Sequence, residues 1–459
     1  MRATTPQHEN AGINLAALLS VLLGVALGSL DSAIANTALP AIAADLHTDP
    51  GRSIWIVNAY QLAVVATLLP FAALGDALGP RKVFLFGVTF FTAASLACAL
   101  ATTLPALSIA RALQGIGAGA TMSVNIALIK QIFPPSKLGR GVGINALVVG
   151  IGFSIGPTIA SLVLSVTSWP WLFGLNLPLG LLASLVAMRS LPRHPAPLVQ
   201  FDRTAASFSA IAFTAWMLAL IQLGQQASWS VIAAAVLVAA IFTTALLLRQ
   251  AGHAAPMLPV DLLRRPMFAL SAFTAFASFS AQGLAFVALP FYFEVSMHLD
   301  PINTGFLMSA WSIVVAAIAP LAGRLSDRHH PGLLGGVGLA VLSVGMLTLT
   351  QLDSTSTTWH IVISMAVCGA GFGFFQSPNL RALMTSAPPN RSGGASGMIG
   401  LVRLTGQSTG AALVALCFGL QGAHGALLAI YLAAGFALAG CMASFSRLGA
   451  SFLKTDTPV

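Results

Sequence analysis

The chain has 459 residues, of which 57% are hydrophobic and 7% charged, and its formal net charge is +9. Soluble globular proteins carry roughly 25% charged residues, so this composition excludes a soluble surface of that size. The positive balance does not argue for nucleic acid, because the basic residues sit in short connections between apolar blocks, where they orient membrane helices.

Apolar blocks bounded by Pro, Gly and charge predict fourteen spanning helices, each of the roughly 17 to 25 residues that a bilayer requires. In chain order they fall near 14–39, 53–74, 83–103, 105–130, 141–165, 168–188, 205–224, 229–248, 267–293, 302–323, 332–350, 358–380, 393–417 and 424–446. The first block follows a polar amino terminus and runs past any small-residue cleavage site to Asp31, so it reads as a retained helix and not as a secretory signal. The cysteines Cys98, Cys368, Cys417 and Cys441 lie inside apolar blocks without a partner at metal or redox spacing, and read as packing residues.

Direction follows from Lys and Arg. With the amino terminus in the cytoplasm, Arg52 alone lies outside and Arg111 and Arg403 lie inside helices. The other basic residues, from Arg2, Arg81, Lys82 and Lys137 to Arg391, Arg447 and Lys454, then fall on the cytoplasmic side. Both termini are therefore expected in the cytoplasm. The longest cytoplasmic connections, about 190–204 and 249–266, flank the seventh and eighth helices. The chain thus divides into an amino-terminal six-helix bundle (1–191), two linker helices (192–266) and a carboxy-terminal six-helix bundle (267–459). A weak repeat supports that division. LGDALGPRK (74–82) follows the second helix and GRLSDRHH (323–330) follows the tenth, at the same place in each six-helix half.

Further motifs occur in order: LDSAIANTALP (30–40), WIVNAYQLA (55–63), RALQGIGAGA (111–120), GIGFSIGP (150–157) and WPWLFGLNLPLG (169–180). Together they resemble the major facilitator superfamily, and within it the fourteen-helix drug:proton antiporter branch, over nearly the whole chain. The resemblance implies an all-α membrane protein of two six-helix bundles plus two extra helices, working by alternating access. It identifies Gly152, Gly156 and Pro157 with the antiporter motif of the fifth helix. There are departures. Ala72 and Ala77 replace a Gly and an Arg of the first loop motif, and Ala160 and Ser161 stand where paired Gly usually close the fifth-helix motif. Pro170 replaces a basic residue, and His329, His330 and Pro331 replace the trailing Gly-Arg of the second loop motif.

Asp31 is the carboxylate deepest in a helix, and an ionised acid in hydrocarbon needs a cavity or a partner. Counting about 1.5 Å per residue from Pro40 and Pro105 places Asp31 and Arg111 at similar depth, on helices that the resemblance makes neighbours. Two readings stand: a proton-coupling pair, or a permanent ion pair that joins two helices. Arg403, in GLVRLTGQSTG (400–410), reads as a cavity cation that contacts substrate or orients Gln407, or as a side chain bonded to carbonyls. Gln282 and Trp311 are further cavity candidates. Glu294, at the outer end of the ninth helix, is an outer gate or a solvated end residue. Asp76, Arg81, Lys82, Arg324, Asp327 and Arg328 are expected to lock the inner face through charge pairs. Gly115, Gly117 and Ala120 fit a nucleotide pattern, but with no preceding strand they read as close helix packing. His329 and His330 alone do not make a metal site.

The expected function is a proton-coupled exporter of lipophilic small molecules in the inner (plasma) membrane. It is expected to work as a monomer surrounded by lipid, without nucleic-acid partner, metal or cofactor. The absence of a P-loop pattern disfavours ATP drive. A dedicated exporter of one endogenous metabolite is the alternative. An enzyme or sensor would need a catalytic cluster or a signalling domain, and the sequence offers neither.

Overall fold

The computed structural model describes residues 14–134, 138–193, 201–224, 227–251, 258, 260–388 and 392–452. Arg2, Lys137, Arg391, Lys454 and both termini lie outside the described residues. Every regular element among them is helical.

Fourteen helices are long and apolar enough to cross a membrane: α1 Leu15–Thr37, α2 Pro50–Leu78, α3 Pro80–Ala99, α4 Leu104–Ile132, α5 Leu147–Val166, α6 Pro170–Ser190, α7 Arg203–Leu223, α8 Trp229–Gln250, α9 Pro266–Ser296, α10 Pro301–Leu325, α11 Pro331–Leu349, α12 Thr358–Ser386, α13 Gly397–Gln421 and α14 Gly425–Leu448. Local chemistry sets their starts. Pro occupies the first or second position of α3, α4, α9, α10 and α11, where its missing N–H costs nothing. The side chains of Asn14 and Asp300 cap α1 and α10 by accepting from Ala17 N (3.0 Å) and Asn303 N (2.9 Å).

The number of spans agrees with the sequence reading, but several ends do not. α2 was expected to stop near 74 and continues to Leu78, and α12 was expected to stop near 380 and continues to Ser386. The first loop motif is thus largely helix, and Asp76 sits on its last turn. The chain turns only at Gly79, whose φ of 92° suits a residue without Cβ, and Pro80 then opens α3. Composition marks where the apolar stretch stops, whereas helical hydrogen bonding persists into water until a breaker intervenes.

α1–α6 form one bundle and α9–α14 the other. The face carrying Arg81, Lys82, Arg324 and Arg328 is called here the basic face. The bundles meet chiefly through α5 on α10 and α2 on α13. Four hydrogen bonds cross that seam: Ser161 Oγ to Pro301 O (2.6 Å), Thr158 Oγ1 with Ser309 Oγ (2.6 Å), Ser312 Oγ to Phe153 O (3.3 Å) and Ser408 Oγ to Gln61 Oε1 (3.4 Å). All lie between mid-helix and the face opposite the basic one. Among the described residues, no hydrogen bond or ion pair joins the bundles at the basic face. The molecule is closed on one face.

α7 and α8 form a hairpin. Arg249 grips Asp202 through Nε (2.9 Å to Oδ2) and Nη2 (3.0 Å to Oδ1), and Trp216 Nε1 donates to Thr243 Oγ1 (3.2 Å). That grip holds the Asp202 carboxyl below the usual carboxylate range. α7 lies against both α2 and α13, so it covers their seam from the side, with Met217 and Ile221 buried against Ala412 beside Trp55 and Leu62.

Candidate functional site

Asp31 and Arg111 meet. Arg111 Nη1 donates to Asp31 Oδ2 at 2.5 Å, and both side chains are 1% exposed. Five helices build the surroundings. Gln114 Nε2 and Asn176 Nδ2 each donate to Asp31 Oδ1 at 2.8 Å. Gln114 also reaches Ser95 Oγ (2.8 Å), and its Oε1 accepts from Arg111 Nη1. Arg111 Nε donates to Ile56 O (3.2 Å), and the guanidinium lies 4.2 Å over the Tyr60 ring and 5.5 Å over the Phe173 ring. The carboxylate has a cation and two amide donors, and the cation has an anion, an amide, a carbonyl and two ring faces. Such saturation offsets the desolvation of both charges.

Close packing makes this geometry possible. A Cβ at Gly115 would stand 2.4 Å from Tyr60 O, and one at Gly117 2.5 Å from Phe91 N, so the glycine pattern of α4 admits its neighbours' backbones. The fifth-helix motif acts likewise on α1. Cβ atoms at Gly152 and Gly156 would meet Ser29 Oγ at 2.3 Å and Ala33 Cβ at 2.5 Å. Pro157 and Ser161 face α10, where Gly305 leaves room for Pro157 O and Ser161 Oγ. Ser161, a departure from the family's Gly, supplies the hydroxyl that bonds Pro301 O across the seam.

A second polar region lies at mid-seam. Gln407 Nε2 donates to Gln282 Oε1 at 3.0 Å. Both line a cavity of about 20 Å³ with Ser32, Asn36, Gln61, Phe153 and Phe286. That is room for about one water. Arg403, one turn before Gln407, is half-buried and has no ion pair among the described residues. It does not orient Gln407; Gln282 does.

Several expected positions are corrected. Trp311 does not line the cavity. It is 1% exposed, with ring centroids 5.4 Å from Phe286 and 6.4 Å from Phe372, because its bulk fills the α9–α10–α12 packing. Arg447, expected among the cytoplasmic segments and helix ends, lies at the end of α14 and is 0% exposed. It donates to Asn379 Oδ1 (2.8 Å), Ser271 Oγ (3.0 Å), Ser444 O (3.3 Å) and Ser444 Oγ, so polar acceptors from three helices hold it inside. The basic-face charges, expected to lock that face when closed and to part on opening, make no pair between the bundles among the described residues. Asp327 pairs with Arg381 of α12, Arg81 Nη2 donates to Met188 O (2.6 Å), and Asp76, Lys82, Arg324 and Arg328 are exposed without ion pairs among the described residues. Each contact stays within its own bundle. Glu294 lies in a π-helical turn, Tyr292–Ser296, at the far end of α9, and its Oε1 is buried without a hydrogen-bond partner.

Sequence reasoning missed Gln114, Asn176 and Tyr60. Gln114 was readable, since three residues after Arg111 it shares the same helix face. Asn176 and Tyr60 carried no comparable signal, being neutral and distant in sequence.

Two bundles of six apolar helices with a hairpin of two more, closed on one face over a buried charge pair, define a membrane transporter. The chain belongs to the Major Facilitator Superfamily, whose family model matches residues 21–411. It is 47% identical over 418 residues to the uncharacterized transporter YebQ of Escherichia coli (strain K12), covering 90% of this chain and 92% of that one. It is 28% identical to the riboflavin transporter RibZ of Clostridioides difficile (strain 630), covering 84% of each. Multidrug resistance protein Stp of Mycobacterium tuberculosis (strain CDC 1551 / Oshkosh) is 29% identical, covering 87% of this chain and 75% of Stp. Among solved structures, a POT family transporter in complex with 5-aminolevulinic acid shares the fold, with a TM-score of 0.72 at 15% identity and 96% of each chain covered. The protein is a transporter and not an enzyme.

Proposed function

We propose that this transporter is a proton-coupled exporter of lipophilic small molecules, working by alternating access between the two six-helix bundles in the plasma membrane. The basic face is then cytoplasmic and the described conformation faces inward. The observation that carries the reading is the sealed Asp31–Arg111 pair. Asp31 is the acid placed deep in a span, and its charge is fully engaged by α4 and α6. A proton arriving on Asp31 would leave Arg111 without its anion and loosen the hold between α1 and α4. The bundle that opens and closes against its partner through Ser161 and Thr158 would thereby sense protonation. Stp, named for multidrug resistance, supports the exporter reading.

The test is dye export from proteoliposomes under an imposed pH gradient. Gradient-driven transport that a protonophore abolishes, and that Asp31→Asn loses at equal incorporation, is expected. Normal gradient-driven transport by Asp31→Asn would remove Asp31 from coupling.

A second reading, export of one endogenous metabolite, is favoured by the relative named as a riboflavin transporter and by the narrow mid-seam cavity. A panel of unrelated dyes separates the two: transport of several supports the broad exporter, and transport of none supports the dedicated one.

A further inference from the structure

The chain has only 12 acidic residues, and Asp31 alone among them is far from a helix end. Asp31 is spent on Arg111. Among the described residues Arg403 has no ion-pair partner. Its position sharpens the point. On α13, Arg403, Gln407 and Ala411 recur every four residues and so share a face. Gln407 and Ala411 line the mid-seam cavity. Gly400 continues that face towards the basic side, and a Cβ there would meet no atom within 4 Å. Arg403 thus stands where the sealed seam gives way to open space, one turn of about 5.4 Å from the Gln407–Gln282 pair.

The surroundings are apolar on one side and amide-lined on the other. Phe153 and Phe286 come together edge to face at 6.3 Å, one from each bundle. Gln282 and Gln407 supply donors and acceptors. A guanidinium without an anion, at partial burial, is costly unless a ligand completes it. By contrast Arg447, the other buried arginine of this bundle, has four hydrogen bonds to the protein.

We infer that Arg403 is the headgroup site for the transported molecule, and that the substrate class is a lipophilic monoanion, a carboxylate or sulfonate on an aromatic or alkyl body. The anionic group pairs with Arg403, and the body occupies the open basic side, where a Cβ at Gly400 would meet no atom within 4 Å. The inference deepens the exporter reading, on which it relies for the direction of movement alone. Binding itself does not require proton coupling.

The experiment measures equilibrium binding to the full chain in lipid nanodiscs, with empty nanodiscs subtracted. The probes are 1-pyrenebutyrate, its primary amide and 4-(1-pyrenyl)butylamine. The expected result is that the acid binds about tenfold or more tighter than the amide, equivalent to about 1.4 kcal/mol. Arg403→Gln removes that preference, Arg403→Lys keeps part of it, and Arg403→Glu turns it towards the amine. Retention of monodisperse, thermally stable protein by Arg403→Lys and Arg403→Gln separates recognition from folding. An acid that binds no tighter than its amide, a preference that survives Arg403→Gln, or no binding by any probe overturns the inference. If Arg403-dependent binding of the acid holds while a pH gradient moves no acid, the coupled-exporter reading fails and the anion site stands.

Discussion

The two bundles bury arginine in opposite ways. In the amino-terminal bundle, Arg111 carries its own anion, with Asp31 at 2.5 Å and Gln114 and Asn176 completing the carboxylate. In the carboxy-terminal bundle, Arg447 is held by neutral oxygens, and Arg403 by no ion-pair partner among the described residues. One bundle thus stores a balanced pair that a single proton can unbalance. The other has a fixed cation locked into its frame and a second cation turned towards the seam. The difference suggests a division of labour, with proton sensing in the first bundle and substrate recognition in the second.

The largest expected effect comes from breaking the balanced pair on one side. Arg111→Ala leaves Asp31 charged and buried, and loss of one partner of a buried pair costs about 3–5 kcal/mol. Folded protein should fall sharply, as read by size-exclusion recovery and thermal unfolding. The double change Asp31→Asn with Arg111→Gln should recover most of that stability while leaving gradient-driven transport absent. Recovery of coupled transport by the double variant would make the pair a structural tie only.

Next is Arg447→Met. It removes a cation held by neutral acceptors and strands Asn379 Oδ1 and Ser271 Oγ, so the expected loss is about 1–3 kcal/mol. The probe preference at Arg403 should not change. A changed preference would mean that the two arginines act together.

Ser161→Ala deletes a single hydrogen bond across the seam, about 0.5–1.5 kcal/mol. Because that bond exists only with this face closed, the equilibrium should move about three- to tenfold towards opening there, by the relation of 1.4 kcal/mol per factor of ten. Labelling of a cysteine introduced at Ser309, which is 4% exposed in the closed seam, would report it as faster modification. An unchanged rate would contradict the assignment of the α5–α10 contact as the closure.

Asp202→Asn should do least. The pair with Arg249 is partly exposed, and such pairs contribute little. Since the Asp202 carboxyl is held below its ordinary range, its contribution is present at neutral pH and disappears as pH falls through the depressed value. Thermal unfolding of the native chain and of Asp202→Asn should therefore agree in acid and differ slightly at pH 7.

Much of the fold was legible in the sequence because the bilayer imposes its own ruler: blocks of apolar residues, basic ends and a six-two-six division. Asp31 and Arg111 could be paired from their similar depth on helices that the resemblance made neighbours, since a charge in hydrocarbon needs a partner. Neutral partners make no such announcement, so Asn176 and Tyr60 stayed hidden. Arg447 misled for a related reason. Near a helix end it looks like an anchor, and only folding brings Ser271, Asn379 and Ser444 around it. Asp76 was expected near an inner helix end and lies on the last turn of α2, which outlasts its apolar stretch up to Gly79.

The most direct test of the account is substrate-driven proton movement. Proteoliposomes holding native protein or Asp31→Asn would be given a gradient of the dye that the vesicles transport, without an imposed pH gradient, with internal pH followed by an indicator. Proton movement opposite to the dye by the native protein, and none by Asp31→Asn with dye binding intact, is the predicted result. Equal proton movement by both would contradict the account and place the coupling proton elsewhere, with Glu294 the next residue to change.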